Sequence, residues 1–129
     1  MVNIVVDSSV LIQNLRLGKE MYFGIIGKAK LGEMNLTIPS VVVMEIWSGA
    51  SMTDKKKEKN IEKRLLPFEI IDINVDIAKK AGVIRRNYGV SGIDALIAAT
   101  AVIHDAELVT LNTKHFVGIR EVKLYNPGR

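Results

Sequence analysis

Three acidic residues stand at positions where a carboxylate could take part in catalysis or metal binding and need not be an ordinary surface group. Asp7 follows the first apolar run, Glu45 lies inside the apolar stretch 41–47, and Asp94 comes three residues after Ser91. Carboxylates that converge on one crevice repel one another by about 4 kcal/mol per close pair at an effective dielectric of roughly 20. A divalent cation offsets that repulsion, and Mg²⁺ prefers oxygen ligands. These residues could therefore support the attack of metal-activated water on a phosphodiester.

Each acid also has a purely structural explanation. Asp7 could cap the first helix, and Asp94 could be the reciprocal partner of Ser91 in a capping box; each cap contributes about 1 kcal/mol. Glu45 has a weaker alternative, because no lysine or arginine lies within one helical turn of it. A buried carboxylate needs a partner. A cation from elsewhere in the fold, or a metal ion, would supply the missing charge.

The acids need a framework that brings strand ends and helix starts together. Short β-branched runs alternate with helical segments, which predicts a largely parallel sheet covered on both faces. In such a sheet, ligands bind beyond the carboxyl ends of the strands. The predicted strands are Val2–Val6, Leu36–Ile38, Glu69–Ile73, Leu108–Thr110 and Val122–Tyr125, and the predicted helices are Ser8–Arg16, Lys19–Lys30, Pro39–Ala50, Thr53–Leu66, Val75–Tyr88, Ile93–His104 and Asn112–Phe116.

The composition is typical of one soluble globular domain, because 48% of the 129 residues are hydrophobic and 25% are charged. A single domain over residues 1–129 is expected. Cysteine is absent and there are two histidines, which excludes disulfides, thiol nucleophiles and four-ligand structural zinc sites. The chain shows no secretory signal pattern and no apolar stretch near the roughly 20 residues that span a bilayer. A cytoplasmic protein without membrane contact is expected.

The charge balance favours a polyanionic partner. Lysine and arginine number 18 against 14 acidic residues, and aromatic residues make up only 5% of the chain. Contacts to nucleic acid should therefore be mainly to phosphates. Arg85 and Arg86, shortly before Asp94, could make such contacts or could simply be solvated. The densest charge run, 54–64, is interpreted as a solvated helix face.

Four segments of the chain resemble the ordered motifs of PIN-domain nucleases, most closely the VapC toxins of toxin–antitoxin pairs. They read VVDSSVLI, SVVVMEIWSG, SGIDALIAATA and LVTLNTKHF. The resemblance implies a PIN-like three-layer α/β/α sandwich with a mostly parallel central sheet. It also implies that Asp7, Glu45 and Asp94 are catalytic and hold Mg²⁺ or Mn²⁺. Ser9 and Thr110 would make supporting hydroxyl contacts.

By the same resemblance the chain is an endoribonuclease toxin that hydrolyses RNA, forms a homodimer and is held inactive by a small antitoxin protein. The apolar segment Met21–Ile26 is expected to be partly covered by another chain, with Trp47 a further candidate for that contact. The alternative is a non-catalytic domain that binds Mg²⁺ as receivers do, or binds RNA without cutting it. A receiver needs a phosphate-reading lysine after a late strand, and only Lys114 is available there. The nuclease is therefore favoured.

Two positions depart from the family pattern. Where many members read T-R-D or T-R-N, this chain has Thr110, Leu111 and Asn112, so the arginine is missing and an amide stands at the fourth acidic position. A less negative metal site is expected, with Asn112 in a supporting role; its structural alternative is to cap the turn that follows. His115 stands where members often have an acid, and an exposed polar residue is an equally good interpretation of it.

Overall fold

The computed structural model describes residues 1–17, 28–29 and 31–126. Its centre is one sheet of five strands with the order β3-β2-β1-β4-β5. Every neighbouring pair is parallel. The strands are β1 (Val2–Val6), β2 (Met34–Pro39), β3 (Glu69–Ile71), β4 (Glu107–Val109) and β5 (Lys123–Leu124).

Helices connect these strands and cover the sheet, which confirms the predicted three-layer α/β/α fold. The predicted helix Lys19–Lys30, with the apolar segment Met21–Ile26, lies almost entirely outside the described residues. The described helices are α1 (Ser8–Leu17), α2 (Ser40–Trp47), α3 (Lys55–Leu65), α4 (Val75–Tyr88), α5 (Gly92–Ile103) and the short α6 (Thr113–Phe116), with a 3₁₀ turn at Ala50–Thr53 between α2 and α3.

Several element boundaries differ from the predicted ones. Strand β2 begins at Met34 because it pairs there with Val2 of β1. Helix α2 ends at Trp47, short of the predicted Ala50, and a 3₁₀ turn follows. Strand β4 pairs with β1 only as far as Val109. Thr110 therefore lies just beyond the strand, in the loop at its carboxyl end.

Strand β1 lies in the middle of the sheet, with β2 on one side and β4 on the other. The chain moves outward through β2 and β3 and then returns to the opposite side of β1, so the strand order reverses at β1. Val6 pairs with Val109, and the Asp7 N–H donates to the Val109 carbonyl at 2.9 Å. Ligands bind at such a reversal, beyond the carboxyl ends of the strands. Asp7 and Thr110 are the residues that stand there.

The core lies between the sheet and its helices. Helix α5 contributes a run of small buried side chains, Ala95, Ala98, Ala99 and Ala101, which allow close approach to its neighbours. The buried Thr37 hydroxyl donates to the Ile4 carbonyl at 2.8 Å, so the hydrogen-bond donor of this buried polar side chain is satisfied. Among the described residues no helix is long and apolar enough to cross a membrane.

Candidate active site

Asp7 is buried directly after β1, and its side chain is only 3% exposed. Three hydroxyl groups contact its carboxylate. Ser9 Oγ donates to Oδ2 at 2.9 Å, Thr110 Oγ1 donates to Oδ2 at 2.7 Å, and Ser8 Oγ donates to Oδ1 at 3.3 Å. These bonds offset the cost of burying the charge and hold the carboxylate in one orientation. The bonds described for the Asp7 carboxylate are therefore to side-chain hydroxyl groups.

The loop after β4 is fixed to the same place. Ser9 Oγ accepts from the Leu111 N–H at 3.1 Å, and Thr110 Oγ1 accepts from the Asn112 N–H at 2.9 Å. Each hydroxyl thus links Asp7 to the backbone of the loop. The structure places Ser9 and Thr110 beside Asp7, where the family resemblance had put supporting hydroxyls.

Glu45 lies in the second turn of α2 and is half-buried. Its Oε1 atom is buried and makes no hydrogen bond within the described structure. Burial raises the pKa of this carboxyl above its ordinary value, and the nearby charges of Asp7 and Asp94 raise it further. A hydrogen bond from Ser8 acts in the opposite direction. Among the described residues, an anionic Glu45 therefore has no ion-pair partner to offset its burial.

Asp94 lies in the first turn of α5 and is held by a contact that the sequence analysis did not predict. Half of the proposed capping box is present, since the Asp94 N–H donates to Ser91 Oγ at 3.2 Å. The Asp94 carboxylate instead contacts His115, whose Nδ1 lies 3.1 Å from Oδ2. Ser91 therefore caps the helix, and the carboxylate is available for another role.

The three acids share one electrostatic environment, because Asp7 and Asp94 both act on Glu45. They do not form a ready-made ligand cluster: in the described part of the chain, no group of three histidine or acidic side chains is placed to hold a metal ion. Within the described residues, the fold thus places Asp7 and Asp94 close enough to act on Glu45 without closing the three acids around a common point.

Asn112 is exposed at the first position before α6. Its side chain makes no capping hydrogen bond to that helix, so the structural alternative offered for it is wrong. Its backbone carbonyl accepts from the His115 N–H at 3.0 Å. Asn112 thus helps to position the residue that contacts Asp94.

Arg85 and Arg86 are exposed in the last turn of α4. Gly89 ends this helix in the left-handed conformation, at a φ of 69°, which favours glycine. The chain then leads through Ser91 into α5 and Asp94. The two arginines are therefore accessible at the end of the helix that precedes this connection, and they make no described contact with the three acids.

His115 is the residue at this site that sequence reasoning underestimated. Its side chain is 54% exposed, which fits the expected polar surface residue, but one ring nitrogen faces Asp94. The available signal was its place in the LVTLNTKHF segment, one of the four segments that carry the family resemblance. The partner of His115 is decided by how α6 packs near the start of α5. The sequence pattern does not predict that packing.

Comparison with known proteins places this geometry in a known family. The family model described as the PIN domain matches residues 4–121. The protein named Ribonuclease VapC10, from Mycobacterium tuberculosis, is 32% identical over 125 residues, which cover 93% of this chain and 90% of that protein.

Solved structures agree with that match. VapBC2 from Rickettsia felis, bound to a DNA fragment from its promoter, superposes with a TM-score of 0.81 at 26% identity, covering 96% of this chain and 98% of that one. A toxin–antitoxin complex from Klebsiella pneumoniae gives a TM-score of 0.69 at 32% identity, covering 95% of this chain and 96% of that one. The likeness extends over nearly the whole length of each chain compared.

Proposed function

The chain belongs to the PIN-domain family, and from that membership we propose that it is a divalent-metal-dependent endoribonuclease, the toxin of a toxin–antitoxin pair. The observation that carries the proposal is the state of Glu45. Its buried Oε1 has no hydrogen-bond partner, and its pKa is raised by burial and by Asp7 and Asp94. A cation bound among these three carboxylates would satisfy all of them at once.

The residues present fit a hard divalent cation. Every candidate ligand at the crevice is a carboxylate, hydroxyl or amide oxygen, which suits Mg²⁺ or Mn²⁺. Asp7, Glu45 and Asp94 would hold the ion, with Asn112 nearby as a weaker, uncharged oxygen donor. When bound, the ion would polarise the phosphodiester and lower the pKa of the attacking water.

The protein's own contribution is to orient the acids and the substrate. Hydrogen bonds from Ser9 and Thr110 fix Oδ2 of Asp7, so its carboxylate is preorganised before any ligand arrives. The His115 contact does the same for Asp94. Holding ligating carboxylates through such outer contacts is a general feature of metal sites. Arg85 and Arg86 are proposed to bind phosphates of the RNA beside the crevice.

The proposed partners follow from the relatives. A relative 32% identical to this chain is named as a ribonuclease, and solved relatives include complexes between a toxin and its antitoxin. We extend these properties to this chain: the substrate is RNA, a small antitoxin protein binds and silences the enzyme, and the active form is a homodimer. A small neighbouring reading frame with a DNA-binding start and an amphipathic tail would encode the antitoxin.

A cleavage assay with matched variants tests the activity. The purified protein is incubated with total RNA in Mg²⁺ or Mn²⁺, with and without EDTA. We expect cleavage that EDTA abolishes, and we expect Asp7→Asn, Glu45→Gln and Asp94→Asn each to lose it. Asp76→Asn, an exposed acid in the first turn of α4, controls for the loss of one negative charge.

The outcomes separate the nuclease from the alternative. Activity like that of the wild type in any of the three variants would remove that residue from the site. RNA binding without metal-dependent cleavage in the wild type would support the domain that binds RNA and does not cut it.

A further inference from the structure

We propose that the outer face of α3 is a docking surface for the RNA backbone, separate from the catalytic crevice. The surface, here called the lysine ridge, consists of Lys56, Lys59, Asn60 and Lys63. The inference rests on the proposed ribonuclease function, because it takes RNA to be the substrate.

Helical spacing produces the ridge. Residues three, four and seven apart share one face of a helix, so Lys56, Lys59, Asn60 and Lys63 form a single stripe. All four are exposed, whereas Ile61 and Leu65 are buried on the opposite side. With Lys57, the same four residues line an open depression on the surface. The stripe that faces solvent therefore carries three positive charges and no acid.

Two acids near this stripe are engaged elsewhere, and the exposed Glu62, which lies beside the stripe, forms no ion pair with a ridge lysine in the described part of the chain. Glu58 is half-buried, and its Oε2 accepts from Trp47 Nε1 at 3.1 Å. The side chain of Asp54 is used as the helix cap, where it accepts from the Lys56 N–H at 2.9 Å. Among the ion pairs found in the described part of the chain, none involves a ridge lysine. The positive charges of the ridge are thus left for a partner outside the fold.

The ridge is attached to the helix that carries Glu45. Trp47, the last residue of α2, is two positions from Glu45 and bonds the first turn of α3 through Glu58. Between Lys56 and Lys63 the helix advances about 10 Å, which is the length of roughly three stacked nucleotides. RNA bound along the ridge would therefore lie on a helix that is joined, through its opposite side, to the helix that presents one of the three acids. The low aromatic content agrees with recognition through phosphates instead of stacked bases.

The salt dependence of RNA binding tests this inference. Affinity of the protein for a short fluorescent single-stranded RNA is measured by anisotropy in EDTA over a range of NaCl concentrations. We expect the Lys56→Gln, Lys59→Gln, Lys63→Gln triple variant to lower the slope of log affinity against log salt by about 2, or about 0.7 for each phosphate contact. Glutamine is nearly as good a helix former as lysine, so circular dichroism should be unchanged.

A second triple variant controls for net charge. Lys79→Gln, Arg120→Gln and Lys123→Gln remove the same three charges from exposed positions outside α3, and the slope should stay near that of the wild type. An equal fall in both triple variants, or none in the ridge variant, would overturn the proposal. The proposal would also be overturned if the protein bound polyglutamate more tightly than RNA and the ridge variant lost that binding. The ridge would then be a docking surface for an acidic protein.

The readout does not depend on catalysis. The ridge variant could lower the slope of log affinity against log salt although the wild type never cleaves RNA. That result would support the ridge as an RNA-binding surface and refute the nuclease. RNA cleavage by the wild type together with an unchanged slope in the ridge variant would support the nuclease and refute the ridge.

Discussion

His115 and Asp94 face each other across the gap between α6 and the start of α5, with Nδ1 of the imidazole 3.1 Å from Oδ2 of the carboxylate. The contact leaves Oδ1 of Asp94 for another ligand. A histidine side chain thus contacts one of the three acids directly.

We expect His115→Ala to weaken Mn²⁺ binding by about tenfold, because loss of an outer contact to a ligating carboxylate costs that much or more. His115→Asn should recover most of the affinity, since its amide N–H can replace Nδ1 as donor. Calorimetric titration of Mn²⁺ measures both. His104→Ala, at the end of α5, is the matched control. Equal affinities in all four proteins would show that Asp94 needs no orientation from His115.

Thr110→Val should destabilise the protein by about 2 kcal/mol, because it removes a hydrogen bond to the buried, charged Asp7 without changing the side-chain volume. Chemical denaturation at neutral pH is the measurement. Thr113→Val removes an exposed hydroxyl from α6 and should change stability little. A stable Thr110→Val protein would mean that Ser9 and Ser8 suffice to hold Asp7.

Glu45→Gln should stabilise the metal-free protein, and the gain should depend on pH. A raised pKa means that the folded state binds the Glu45 proton more tightly than the unfolded state, so this group makes the wild type less stable as pH rises through its folded pKa. Glu45→Gln does not lose stability in this way, because the glutamine amide does not ionise. Thermal midpoints in EDTA should therefore favour Glu45→Gln at neutral and alkaline pH and converge in acid. A gain that is largest in acid would contradict the assigned shift.

Asn112→Asp should tighten divalent-ion binding, because it adds a negative charge at an exposed position beside the crevice. The fold should be unaffected, since the Asn112 side chain makes no capping bond. Titration of Mn²⁺ compares affinity and stoichiometry, and cleavage rates at saturating metal show whether the added charge helps catalysis. Unchanged binding would place residue 112 beyond reach of the ion.

Local signals explain which elements the sequence could predict. The helix Val75–Tyr88 was predicted with both ends correct, because Asn74 caps its first turn through Ile77 N–H and Gly89 ends it with a positive φ. Both signals lie within a few residues of the helix. By contrast, the ends of β2 and β4 depend on pairing with β1, which a local pattern cannot specify.

The same distinction applies to the site. The three acids could be singled out because each stands at a strand end, at a helix start or inside an apolar run. The partner of Asp94 could not be identified, because it depends on how two helices pack. The family resemblance, not the spacing of residues, pointed to Ser9 and Thr110 as neighbours of Asp7.

The central position of β1 has a consequence for synthesis of the protein. Of the three hydroxyl groups that bond the Asp7 carboxylate, the one on Thr110 is made 103 residues later, beyond a strand that pairs with β1 only after β2 and β3 have been made. A nascent chain shorter than this holds its first acid without that support. The hydroxyl support of Asp7 in the proposed enzyme is therefore complete only after β4 and Thr110 have been made, long after the acid itself.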